Sequence, residues 1–335
     1  IMVRLVKGAY WDSEIKRAQV AGMPDYPVFT TKAATDLSYL ACAKSLIAAS
    51  PRLYPQFASH NAHTIAAVRH MAEAAGCAIE HQRLHGMGEA LYQAAEAEYG
   101  PLSLRTYAPV GGHADLLPYL VRRLLENGAN SSFVHLLLDD GVPVADVVKD
   151  PVALVEARPG RHPGIALPRD IYGADRINPG GRDISQAAIR EAHGLAIAAR
   201  GRAAPVAGPI VGGKLDAAGA REVSGPADTR QIIGMAAAAD AGHIDEAVRR
   251  ARAAQPDWDR RGGPARAAVL RGMGDALEAQ MARLMALLAL EAGKTFNDAV
   301  SEVREAIDFC RYYACLAERE FAAPRALAGP VGETN

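Results

Sequence analysis

The sequence predicts an α/β fold, and three observations predict it. Between Met2 and about Asn130 a short apolar stretch followed by a helical pattern occurs four times, the alternation of a parallel sheet covered by helices. Between about Val147 and Gly181 the pattern dissolves into Pro- and Gly-rich sequence, Ala157-Arg-Pro-Gly-Arg-His-Pro-Gly followed by Asn178-Pro-Gly-Gly, which reads as a connector. From about Arg182 the texture changes to short β-branched stretches and then long helices. The expected organisation is therefore a first domain over 1–146, a linker over 147–181 and a second α/β region over 182–335.

The strands expected in the first domain are Met2 to Tyr10, Leu53 to Ser59, Ala78 to Leu84 and Leu102 to Ala108. The helices are Asp36 to Ala49, Ala62 to Ala75, Gly88 to Glu98 and Ala114 to Asn127. Asp36 and Asn61 stand where N-caps belong, and Gly76 and Gly128 follow helix ends. Four such units make about half of a (β/α)8 barrel, which takes roughly 250 residues. Because the chain starts at Ile1 and enters a strand at once, it reads as a cut segment with the other half of the barrel upstream.

In the second region a helix is expected over Ser185 to Ala199, short strands between Val206 and Met235, and helices over Ile244 to Ala254, Pro264 to Ala292 and Asp298 to Ala317. The longest has Pro264 in its first turn, a buried stripe at Leu270, Met273, Leu277, Met281, Leu284 and Leu288, and Gly293 as its stop.

The totals narrow the function classes. With 37 basic and 38 acidic residues among 335, composition gives nucleic-acid binding no support. No apolar run approaches the roughly 20 residues that span a bilayer. Cys42, Cys77, Cys310 and Cys315 include no C-x-x-C pair, which points to reduced thiols in a cytoplasm and away from thiolate zinc. Cys310 and Cys315 share a helical stripe with Val303, Ile307 and Ala314 and read as structural.

Four groups of residues could carry chemistry. Arg4 and Lys7 interrupt an apolar parallel strand, where an unpartnered charge costs several kcal/mol, so they need an anion or a polar cofactor or a solvated edge. Tyr10 and Trp11 close that strand with flat aromatics suited to a flat ligand or to the core. His60, Asn61 and His63 follow the second strand. Two His at this spacing could ligate a metal but have no third ligand nearby, and hydrogen bonding to a cofactor or capping by Asn61 fits better. Leu84-His-Gly-Met-Gly-Glu89 follows the third strand with two glycines that allow close backbone approach, yet it is neither G-x-G-x-x-G nor Walker A. Arg122 and Arg123 lie on the helix after the fourth strand, where paired guanidinium groups either face solvent or grip a carboxylate. All four groups fall at the same end of successive strands, which in a barrel lines the active site.

Together these residues resemble a known family. Arg4-Leu-Val-Lys7-Gly-Ala-Tyr10-Trp11-Asp-Ser-Glu, Phe57-Ala-Ser-His60-Asn61-Ala-His63, Leu84-His-Gly-Met-Gly-Glu89 and Tyr119-Leu-Val-Arg122-Arg123-Leu-Leu-Glu126-Asn-Gly-Ala-Asn130 are similar to the flavin-dependent proline dehydrogenase barrel, more closely that of the bifunctional proline utilization A family. From Arg182 on, Trp258, Pro264-Ala-Arg-Ala-Ala-Val-Leu and Glu291-Ala-Gly-Lys-Thr295 resemble the start of an aldehyde dehydrogenase domain. The implied fold is the carboxyl-terminal half of a flavin barrel followed by the N-terminal part of that domain.

The resemblance implies that Arg122 and Arg123 hold the carboxylate of L-proline, while Tyr107, Tyr119, Tyr10 and Leu84 wall its ring. It implies that Arg4, Lys7, Trp11, Thr30, Lys32, His60 and Asn61 contact FAD. Hydride would pass from the proline ring carbon to the flavin, giving Δ1-pyrroline-5-carboxylate, and electrons would pass to a membrane quinone. The second domain would use NAD on the ring-opened aldehyde. A cytoplasmic homo-oligomer, peripheral to the membrane's inner face, is the implied setting. Two rivals remain open at this point: a metal-dependent barrel lyase or hydrolase using His60 and His63, and a non-catalytic assembly module built on the helices after Pro264.

Overall fold

In the computed structural model, residues 1–8, 11–127, 143–201, 205–323 and 329–331 are described. The chain divides into two compact units, one of Ile1–Ile15 and Pro27–Ile165, the other of Lys16–Tyr26 and Ala166–Asn335.

The first unit holds β1 (Met2–Leu5), β2 (Tyr54–Ala58), β3 (Glu80–Leu84) and β4 (Leu104–Tyr107), all parallel and adjacent in chain order. Helix α2 (Lys32–Ala48) lies between β1 and β2, α3 (Ala62–Ala74) between β2 and β3, α4 (Glu89–Tyr99) between β3 and β4, and α5 (His113–Asn127) follows β4. One face of the sheet packs on the helices: Phe57 and Ile79 meet Tyr39, Ala43 and Ile47 of α2 and Val68 and Ala72 of α3. Each large apolar side chain buried there contributes about 1.5–3 kcal/mol. Tyr39 keeps its hydroxyl within 3.4 Å of the carbonyls of Leu5 and Ala58, so this apolar layer also fixes the spacing of β1 and β2.

The four strands and their helices stand where periodicity puts them, with shorter strands. The first strand is corrected most. It ends at Leu5, and Trp11 opens a helix, α1 (Trp11–Ala21), instead of closing a strand. The cause is legible afterwards: Asp12 and Glu14 sit in its first turn, where the helix dipole favours them, and Ile15 and Ala18 are buried three residues apart. Asp36 is a second correction, since α2 starts after Thr31 and places Asp36 inside the helix. Asn61 does cap α3, accepting from the Thr64 N–H at 2.9 Å, and Gly76 follows that helix at φ +60°.

In the second unit Val206–Ala207 runs parallel to Ile232–Ala236, which pairs antiparallel with Arg221–Ser224, while Ile210–Val211 and Lys214–Leu215 form a hairpin. The expected helix over Pro264 to Ala292 is two helices, Gly262–Ala279 and Met281–Ala292, parted at Gln280. Met281 belongs to the core with Met285, Val303 and Ile307, but Met273 is half exposed and leaves the expected stripe. The helix Phe296–Glu320 packs on both, with Cys310 and Cys315 as partly buried free thiols.

The Pro- and Gly-rich stretch is more ordered than composition suggests. It contains the helix Pro151–Ala157 and a single helical turn at Pro168–Asp170. Within the second unit, Arg304 donates to the carbonyls of Pro179 and Val20, and Asn178 donates to those of Gln19 and Pro168. Among the described residues no helix is long and apolar enough to cross a membrane.

Candidate active site

The site is built at the carboxyl ends of β1 to β4, on the sheet face away from the helices. Side chains alternate across a strand, so β1 sends Arg4, β2 sends Gln56, β3 sends Glu80, Gln82 and Leu84, and β4 sends Arg105 and Tyr107 to that face; the register pairs Arg4 with Gln56, Gln56 with Glu80, Gln82 with Arg105 and Leu84 with Tyr107.

This face is polar and internally paired. Glu80 receives Arg105 through both of its oxygens, each at 2.8 Å, together with Gln56 at 2.9 Å and Gln82 at 2.7 Å. The Arg105 hydrogen bonds hold the Glu80 carboxyl below the usual carboxylate range, against the opposing effect of burial. Above them the Gln82 side-chain Oε1 accepts from Arg4 Nε at 2.7 Å, and the Arg4 guanidinium lies 4.9 Å from the centre of the Tyr107 ring.

His60 stands at the carboxyl end of these strands. Its Nε2 accepts the Leu84 N–H at 3.0 Å, which leaves the ring proton on Nδ1 as a donor. Burial lowers its pKa, and the charges of Arg123 and Arg83 push the same way, both favouring the neutral imidazole. Gly88, at φ +69°, makes room for that ring, because a Cβ there would lie 3.0 Å from His60 Cδ2. The glycine expected to admit a ligand thus admits a histidine. Arg123 acts on His60 from α5 and stacks 5.6 Å from the Tyr119 ring centre.

Among the expected residues the structure therefore links Arg4, Tyr107, Leu84 and His60 across the strand ends, and pairs Arg123 with Tyr119 on α5. Tyr10 and the Arg122 side chain lie outside the described residues. A second group stands on the helix side of the sheet. Lys7 pairs with Asp36 at 2.6 Å and donates to Thr64 at 2.9 Å, Thr64 donates to Asn61, and Lys32 also binds Asp36. The anion that Lys7 needs is thus supplied within the chain, and burial lowers the lysine pKa while Asp36 opposes the shift. Thr30 accepts from the His162 N–H at 2.9 Å, and Trp11 stands half exposed at the start of α1.

Sequence reasoning missed Glu80, Gln82, Arg105 and Gln56. The signal was present: Glu80 and Gln82 alternate in a strand that should be apolar if both its faces were dry. The metal reading gains nothing here, since the Nε2 of His60 is engaged and no three His, Cys, Asp or Glu converge among the described residues.

Comparison with known proteins fits this geometry. Residues 1–136 match the proline dehydrogenase family and residues 215–328 the aldehyde dehydrogenase family. The bifunctional protein PutA of Salmonella typhimurium is 44% identical over 339 residues, covering 96% of this chain and 25% of that protein. A crystal structure of a Bradyrhizobium japonicum proline utilization A mutant superposes with a TM-score of 0.81 at 44% identity, over 99% of this chain and 31% of that one. One from Bdellovibrio bacteriovorus, inactivated by N-propargylglycine, gives 0.84 at 33% identity, over 98% and 34%. The chain spans about a quarter of the length of the curated relatives it matches. Matched in order through both regions, the chain carries a proline dehydrogenase-family segment followed by an aldehyde dehydrogenase-family segment and is similar along nearly its whole length to bifunctional proline utilization A proteins.

Proposed function

We propose that residues 1–146 contribute the substrate mouth of an FAD-dependent proline dehydrogenase, and that residues 182–335 open an NAD-dependent dehydrogenase of glutamate semialdehyde in the same protein. The single observation that carries the reading is that the Arg4 guanidinium lies over the ring of Tyr107, the register partner of Leu84, whose N–H donates to His60, so that a guanidinium and a flat aromatic wall share one strand end.

The residues fit a flavin. Arg4 commits only Nε to a hydrogen bond among the described residues, which leaves its Nη donors for a polar ligand. His60 Nδ1–H is a second donor, and the Tyr107 ring supplies a flat surface. When bound, FAD supplies the hydride acceptor. The protein's own part is binding and orientation: Arg122 and Arg123 fork onto the proline carboxylate, and Tyr10, Tyr107, Tyr119 and Leu84 confine the ring and exclude water. The substrate loses hydride from the carbon next to nitrogen and a proton from nitrogen, giving Δ1-pyrroline-5-carboxylate. Trp11, Thr30, Lys32, Lys7 and Asn61 complete the cofactor side in this reading, with Lys7 acting from its pair with Asp36. Electrons then leave to a membrane quinone, from a cytoplasmic homo-oligomer that touches the membrane peripherally.

The test is proline-dependent dye reduction by the full-length protein. Arg123→Ala removes charge-assisted hydrogen bonds of about 1.5–3 kcal/mol. The proline concentration for half-maximal rate then rises roughly 10- to 100-fold. An unchanged value removes the carboxylate role.

A further inference from the structure

The polar face of the sheet contains an arrangement that packing does not require. Arg4 is the described cation that β1 sends to this face, and its hydrogen bond among the described residues runs from Nε to the Gln82 side-chain Oε1 at 2.7 Å. The other end of the Gln82 amide donates to Glu80 at 2.7 Å. An arginine can only donate and a carboxylate can only accept, so the amide has one allowed orientation, with oxygen toward Arg4 and nitrogen toward Glu80. Glu80 is itself immobilised by Arg105 on both oxygens and by Gln56. Gln82 and Glu80 are both buried, so any loss of a partner leaves a desolvated polar group behind.

We propose that Gln82, locked by Glu80, is a positioning residue that aims the Arg4 guanidinium at the cofactor. This rests on the flavin reading above and deepens it. Gln82 touches no reacting atom; it acts through Arg4. A cation held against a flavin favours the electron-rich reduced form, so releasing Arg4 from its aim makes the flavin harder to reduce and less firmly held.

The experiment is a double-mutant cycle on the full-length protein with Arg4→Met, Gln82→Met and the pair, reading flavin content and the two-electron midpoint potential. Gln82→Met keeps the side chain's length and removes its hydrogen bonds. Each single change is expected to lower the equilibrium constant for flavin reduction about tenfold, a potential drop of about 30 mV. The pair is expected to show no more than Arg4→Met alone, because Gln82 has nothing left to aim. Glu80→Gln, which loosens the lock but keeps an acceptor for Gln82, should shift the potential in the same direction by less. If Gln82→Met yields no folded protein, Gln82→Asn carries the same cycle. An unshifted potential in the Gln82 variant, or a pair whose effect is the sum of both singles, overturns the proposal while leaving the flavin site standing. If Arg4→Met itself moves neither flavin content nor potential, the cofactor reading fails instead.

Discussion

The arginines of the barrel mouth and those of the second unit look alike in sequence and differ in what their donors do. In the second unit, Arg176 forks onto Asp308 and lies 3.7 Å from the Tyr172 ring centre, Arg311 binds Asp275 and Glu278, and Arg304 clamps three carbonyl or amide oxygens. In the mouth, Arg4 commits one nitrogen to Gln82 and stacks on Tyr107, and Arg123 stacks on Tyr119. The first set spends its hydrogen bonds on holding a connector in place. Among the described residues Arg4 keeps its Nη donors for a ligand, and an inventory of donors separates it from the arginines of the second unit where residue type does not.

Substitutions sharpen this contrast, and the largest effects come first. Arg123→Ala costs substrate affinity in dye reduction, as above, and should leave the unfolding midpoint within a few degrees. Arg311→Ala reverses the pattern: removing a buried partner of Glu278 and Asp275 costs about 3 kcal/mol in denaturant unfolding with no change in proline affinity.

His81 separates the two faces of β3. Buried on the helix side, its pKa is lowered to about 4 by desolvation, with the charge of Arg69 adding to the shift. The unfolded chain therefore binds more protons between about pH 6.5 and 4, so stability falls as pH drops through that window, by about 2–3 kcal/mol at its lower end. His81→Leu should flatten this slope; an unchanged slope assigns the acid sensitivity elsewhere. The smallest effect belongs to Asn61→Ala, which removes the α3 cap and costs about 1 kcal/mol in the same unfolding measurement.

What the sequence made legible was local. Strand and helix periods in the first unit, the Asn61 cap and the glycine stops at Gly76 and Gly293 depend on neighbours a few residues away. The start of α1 was obscured because Tyr10 and Trp11 look like the end of an apolar strand. The Gln280 break was hidden because the apolar stripe continues from Leu277 to Met281 across it. In the site, the strand-end residues were visible from their common position, but their partners were not. Arg4 and Gln82 lie 78 residues apart, and Glu80 and Arg105 lie 25 apart. Only the parallel register brings them together, and no spacing in the chain encodes that register directly. Lys7 shows the limit most plainly, because the anion its burial demands comes from Asp36, a residue that looked like a helix cap.

The central claim is that the mouth, and not the connector, reads the substrate's carboxylate. Its most direct test is the L-proline concentration that half-bleaches the flavin of the full-length protein without oxygen, compared between Arg123→Ala and Arg176→Ala. The account predicts at least a roughly tenfold rise for the first and no change for the second. Equal responses from the two variants, or a flavin that proline does not bleach at all, would contradict it.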